Sequence, residues 1–275
     1  MDDVRRSSKR LTAFILMKKL SREELAQFLI EKADQYAKYS FVQDDPIQIP
    51  HSFSTAEDIE ISGLIAATLS WGNRKTIIAK SNDLMDRMDR SPAEFICGAS
   101  ESDLETFNGF VHRTFQSEDI KGLARSLQKL YKEHESLGDF FKVHVCEGDA
   151  HLGHTFQEFK GYLLQNGLPL RAGKHFGDPS KGSACKRLIM FTRWMVRSTK
   201  EGIDFGLWDI DPALLSLPLD VHSGRVARSL GLLKRKQNDW KAVLELDRSI
   251  RKIEPVDPAR LDYALFGLGV YEGWK

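Results

Sequence analysis

Apolar residues recur along this chain at intervals of three and four, the spacing that lines one face of an α-helix. Leu20, Leu25, Phe28, Leu29 and Ala33 share a face within residues 11–42, and Ser21 followed by Glu24 is a capping-box pattern that starts a helix there. Asp44-Asp45-Pro46 and Ile49-Pro50 end that unit. From Thr55 to Leu69 the chain is apolar nearly all round, with Thr55 as the cap and Glu57, Asp58 and Glu60 near the start. That pattern predicts a buried central helix. The same periodicity predicts helices over 75–89, 119–134 and 136–146, punctuated by Pro92 and Gly98. A basic, glycine-containing loop over 167–182 leads into a helix over 182–197. Further helices are expected from Val221, over Trp240–Ile253, and from Asp257-Pro258, where proline takes the first helical position. Alternating apolar and polar positions are scarce, so the expected class is all-α with no sheet larger than a short hairpin. The chain shows no internal repeat and no low-complexity tract.

Composition narrows the class further. The chain has 275 residues, 41% hydrophobic and 29% charged, which fits a globular protein and neither a disordered nor a membrane one. The run Leu11–Met17 is too short to span a bilayer, and no small-residue cleavage site follows Lys18-Lys19. Residues 1–10, with Arg5, Arg6, Lys9 and Arg10, read as a frayed tail. Cys97, Cys146 and Cys185 lie far apart, giving no disulfide framework and no cluster ligand set. A monomer in the cytoplasm, with no membrane partner, is the expectation. Net charge is +1, so any affinity for nucleic acid has to come from local charge.

Two stretches carry that local chemistry. Residues 181–200 contain six Lys/Arg and no acid. On a helical wheel Cys185, Leu188, Ile189, Thr192, Met195 and Val196 form a core arc. Lys186, Arg193 and Arg197 fall opposite, with Met190 and Trp194 beside them. A basic stripe flanked by a methionine and an indole suits a phosphate backbone and an unstacked base, although a solvated amphipathic face has the same composition. The second stretch is Pro218–Leu232, in which Asp220 stands where an N-cap belongs. Backbone N–H groups and the helix dipole would favour its ionised form, and on its own it reads as a structural cap. His144, Cys146, His151 and His154 put four candidate ligands within eleven residues, but their spacing matches no strong zinc pattern. No metal and no cofactor are expected.

Taken together, these stretches resemble a known superfamily. Leu219-Asp220-Val221-His222, followed by Gly224-Arg225-Val226-Ala227-Arg228-Ser229-Leu230-Gly231-Leu232, is similar to the V-D-x-H-x-x-R-V-x-x-R-L-G-L signature of the helix-hairpin-helix (HhH-GPD) DNA glycosylases. Gly182-Ser183-Ala184-Cys185-Lys186 looks like the end of the hairpin that delivers that family's catalytic lysine. Ala264–Gly269 resembles its closing helix, and Ala67–Arg74 its L-S-x-x-T stretch. The chain is identified as a member of a little-characterised bacterial family beside this superfamily. The Lys186-to-Asp220 interval is longer than in the endonuclease III branch and looks more like the archaeal 8-oxoguanine glycosylase branch. Two departures stand out. Pro179-Ser180-Lys181-Gly182 replaces the L-P-G-V-G hairpin, and the four-cysteine iron–sulfur loop is absent, so no cluster is expected.

The resemblance implies a two-lobed helical fold with a central cleft. Residues 56–200 would form one lobe, and residues 1–55 would pack with 201–275 to form the other. It implies a base-excision glycosylase, with AP-lyase activity, acting on DNA that contains an oxidised purine such as 8-oxoguanine. Lys186 would be the nucleophile and Asp220 the carboxylate that stabilises the sugar cation. Desolvation and crowding by Arg193 and Arg197 would help Lys186 lose its proton. Trp71, Asn73 or Trp194 would fill or flank the gap left by a flipped base, and Arg74, Arg193, Arg197, His222 and Arg225 would contact the nucleic acid. The alternative is a nucleic-acid-binding protein that kept the fold without the activity.

Overall fold

The computed structural model describes residues 21–198, 200 and 202–274. Leu20, the run Leu11–Met17 and the basic tail of residues 1–10 lie outside them. Helix dominates, and among the described residues the only sheet is a two-stranded hairpin, β1 (Val111–His112) with β2 (Phe115–Gln116). The first helix, α1 (Arg22–Tyr36), carries the expected capping box: Ser21 Oγ accepts from Glu24 N while the Glu24 carboxylate accepts from Ser21 N. Thr55 caps α2 (Ala56–Leu69), in which every residue from Ile59 to Leu69 is buried. Then follow α3 (Arg74–Arg87), α4 (Pro92–Gly98), α5 (Ser117–Glu133) and α6 (Leu137–Val143).

Several elements differ from the periodicity reading, among them α4, a helix where Pro92 and Gly98 read as punctuation. Helix α7 (Gly153–Gln165) was not anticipated, although Phe156, Phe159 and Leu163 give it a core stripe at the right spacing. The helix expected over 182–197 is α8 (Lys186–Val196). It starts late because Gly182 and Cys185 both hold left-handed backbone, at φ 81° and 50°, and a helix cannot run through such residues. The chain continues through α9 (Val221–Ser229) and α10 (Trp240–Ile250), the latter stopping short of Ile253. Pro258 opens a 3₁₀ turn, Pro258–Leu261, that runs into α11 (Asp262–Val270).

Helix α2 is the hub of the first half, packing on α3, α4 and α8. Its one buried acid, Glu60, explains much of that order. The Glu60 carboxylate accepts from Tyr131 Oη (2.7 Å), Leu137 N and Gly138 N (3.0 Å each) and Trp208 Nε1 (2.6 Å). It therefore caps α6 and ties α2 to α5 and to the 208 segment, while burial pushes its carboxyl up from the ordinary range. At the other end of the chain, α11 is held between α1 and α9. The approach of α1 is so close that a Cβ on Gly267 would collide with the Tyr36 ring. No helix among the described residues is long and apolar enough to cross a membrane.

Candidate active site

Where these helices meet lies a cavity of about 890 Å³. Its wall combines Phe41 and Asp45, the α2–α3 junction (Ser70, Trp71, Arg74), the start of α8 (Cys185, Lys186, Arg187, Met190), the start of α9 (Asp220, His222) and one face of α11 (Asp262, Phe266). Segments far apart in sequence meet here because α8 and α9 both present their first turns to the cleft.

Lys186 and Asp220 meet in that wall, Nζ to Oδ2 at 3.1 Å. The left-handed turn at Cys185 places Lys186 at the first position of α8. Asp220 is the N-cap of α9, as its position in the sequence suggested. Its Oδ1 accepts from His222 N (2.7 Å) and Ser223 N (2.9 Å), and Ser223 Oγ returns a bond by accepting from Asp220 N (2.9 Å). Burial opposes ionisation of this carboxyl, but the Lys186 ammonium and the two backbone donors outweigh it and hold Asp220 below its ordinary range. One oxygen is thus fixed by backbone and the other faces the cleft beside an amine.

Two further carboxyls line the cavity. Asp45 caps the turn at Pro46–Gln48 and is pushed up by burial. Asp262 is buried to the point that its carboxyl rises to about 6, in spite of the Arg193 guanidinium bonded to it. Arg187 is largely buried and, among the described residues, meets no carboxylate. It donates to Thr68 O (2.8 Å) and lies 4.9 Å from the Trp71 ring, and burial lowers it to about 10. Trp71 is stacked on His175 at 4.8 Å between ring centroids. Burial first, and then the charges of Arg187 and Lys174, lower His175 to about 4. Arg74 lies 5.6 Å from the Phe266 ring on the far wall.

The expected basic stripe is where sequence and structure part. Trp194 is fully buried, and Arg193 and Arg197 are 3% and 4% exposed, so the three present no open face to a nucleic acid, and Arg193 reaches only the wall of the cavity. Their charges face inward instead. Arg193 is bonded to Asp262 and lies 3.5 Å from Asp204, while Arg197 pairs with Asp204 (2.6 Å) and Asp257 (2.7 Å). The 257–263 segment lies along this side of α8, so the wheel's polar arc is an interlock and not a solvent face. Nor do these arginines crowd Lys186 with unbalanced positive charge, because acids neutralise both. Asn73 is exposed and caps α3, accepting from Thr76 N (3.3 Å). His222 is exposed and lines the cleft, and Arg225 is exposed one turn along α9. Sequence reasoning missed Arg187, Asp45 and Asp262. The last had a signal, being an acid on a helix otherwise rich in apolar residues.

The four residues weighed as metal ligands have separate engagements. His144 stacks on Phe140 at 4.3 Å, His151 lies edge-on to Trp240, Cys146 is exposed and His154 leans toward Glu158 at 3.9 Å. Among the described residues, no group of three or more His, Cys, Asp or Glu is arranged to hold a metal ion.

One family model, described as a protein of unknown function (DUF2400), matches residues 45–271. No curated protein and no solved structure matches the chain.

Proposed function

The chain belongs to this DUF2400 family, whose description assigns no activity, and we propose from its own residues that it is a DNA base-excision glycosylase with AP-lyase activity. The observation that carries the proposal is the 3.1 Å contact between Lys186 and Asp220 inside a cleft roomy enough for an extruded nucleotide. The arrangement brings an amine and a carboxylate held ionised to one point, which is what excision at a sugar C1′ requires. Charge builds on the sugar as the base departs, and the Asp220 Oδ2 that faces the cleft offsets it. The Lys186 amine, after losing its proton, forms the bond to C1′, and the base leaves with the electron pair of the broken bond and takes up a proton. Opening of the sugar ring gives a Schiff base. Loss of a C2′ proton then expels the 3′ phosphate, and water releases the lysine. The target base has to leave the stack, at a cost of a few kcal/mol that damage reduces. Trp71, Met190 and Phe266 offer apolar surface around the space it would occupy. An oxidised purine such as 8-oxoguanine is the substrate class proposed first, on the length of the Lys186-to-Asp220 interval, which looks like that of the archaeal 8-oxoguanine glycosylase branch.

The test is borohydride trapping on duplexes that carry 8-oxoguanine or other lesions. Wild type should form a covalent complex and Lys186→Arg should not, because a guanidinium stays protonated and cannot attack. Binding should be nearly equal in the two. Trapping that persists in Lys186→Arg would assign the nucleophile to another amine. Neither trapping nor base release on any lesion would leave a binding protein without the chemistry.

A further inference from the structure

A basic surface adjoins the site, on the loop joining α9 to α10 and the exposed face of α10 itself. Lys234, Lys236, Lys241 and Arg248 are all exposed, and none has a carboxylate within ion-pair distance among the described residues. They lie together along one short stretch of surface, whereas Arg193, Arg197, Arg125 and Arg260 elsewhere sit against acids. The acids nearby are already engaged. Asp239 is paired with Arg235 and caps α10, while Glu245 accepts from Lys234 N (2.6 Å). Two arginines build the loop rather than its surface. Arg228 donates to Arg235 O (2.7 Å) and Asn238 Oδ1 (2.6 Å), and Arg235 closes the turn on Asp239. The lysines are left outside a braced loop, repelling one another.

The loop is joined directly to both halves of the candidate site. Asn238 Nδ2 donates to the backbone carbonyl of Asp220 (2.8 Å), and Trp240 N donates to Gly182 O (3.1 Å), in the turn that sets Lys186 at the start of its helix. Exposed Lys181 directly precedes Gly182 at that junction. We propose that Lys234, Lys236 and Lys241 form a phosphate-backbone clamp that holds the duplex flanking the target nucleotide. This rests on the nucleic-acid reading given above. A mobile lysine suits the task, since a phosphate needs a point charge and releases its condensed counterions to it. A brace from this loop to Asp220 and Gly182 would keep the held strand in register with the reacting pair.

The experiment measures binding of the full chain to a labelled duplex across a salt series, by fluorescence anisotropy, beside low-salt borohydride trapping at saturating protein. The triple variant Lys234→Ala/Lys236→Ala/Lys241→Ala should lower the slope of log affinity against log salt by about three, and weaken binding at least about tenfold near physiological salt. Lys→Arg at the same three positions should restore both, because the charge returns. Trapping should be unchanged in either. Binding and slope that do not move in the alanine variant, with trapping intact, overturn the clamp alone. Binding that depends on the lysines, without trapping in wild type, overturns the enzyme reading alone. Failure of the wild type to bind duplex overturns both. Lysine dependence toward polyglutamate with none toward the duplex would assign the surface to an acidic protein instead.

Discussion

Asp220 holds two duties that one substitution can separate. Asp220→Asn keeps an oxygen to accept from His222 N and Ser223 N, so its cost in stability should stay within about 1 kcal/mol. The half-exposed ion pair with Lys186 adds little to that cost. Loss of the charge should reduce trapping by at least about 100-fold. A variant that melts like wild type and traps like wild type would leave Asp220 as a cap only. Asp262 supplies a pH signature. Its folded carboxyl titrates at about 6 against an ordinary 3.8, so between those values the folded chain holds a proton that the unfolded chain has released. The associated stability is present below 3.8 and lost as pH rises through 6. Asp262→Asn removes the titration. Wild type should therefore gain stability relative to Asp262→Asn as pH falls from 7 to 5, by about 1 kcal/mol, and by about 3 kcal/mol in full only once pH is below 3.8. Melting curves that keep a constant gap across that range would contradict the assignment.

Among the elements, α8 differs most from its sequence pattern. Six basic residues without an acid over 181–200 suggested a surface helix, yet residues 191–197 are buried throughout. The wheel ranks positions by the helix's own polarity, and it cannot see that Asp204, Asp257 and Asp262 arrive from elsewhere to neutralise Arg193 and Arg197. Arg193→Ala should consequently cost about 3–5 kcal/mol of stability, by leaving the buried Asp262 without its guanidinium partner. Chemical denaturation reads this directly. A fold of unchanged stability with weakened DNA binding would restore the arginine to the surface. The first turn of α8 behaves differently. Lys186 was legible as a candidate because the Gly182–Lys186 and Pro218–Leu232 patterns occur in one chain, but its place at the helix start depends on the left-handed Cys185, which no propensity favours.

For the whole molecule, the chain ends act together. Helix α1 covers α11, which carries Asp262 and Phe266 into the cleft, so α1 supports the site from behind. Leu29 is fully buried within α1. Leu29→Ala should cost about 2–4 kcal/mol and lower Tm on the order of 10 °C, readable by circular dichroism. A shift of no more than a degree or two would mean that α1 is peripheral to the fold.

Helix type, most helix boundaries and the cap roles of Ser21, Thr55 and Asp220 follow from the sequence alone. They depend on spacing within a few residues and on side chains that bond their own backbone, both local properties. The pairing of Lys186 with Asp220 was visible only as two motifs, each separately ambiguous between structure and chemistry. What the tertiary structure decided is which charges face water and which face each other. Arg193 and Arg197 are enclosed by acids, Arg187 is without one among the described residues beside the cleft, and Lys234, Lys236 and Lys241 face outward from a braced loop and the first turn of α10. A charge's role is set by its neighbours within a few ångströms, through desolvation and Coulomb attraction, and those neighbours come from parts of the chain that only folding brings together.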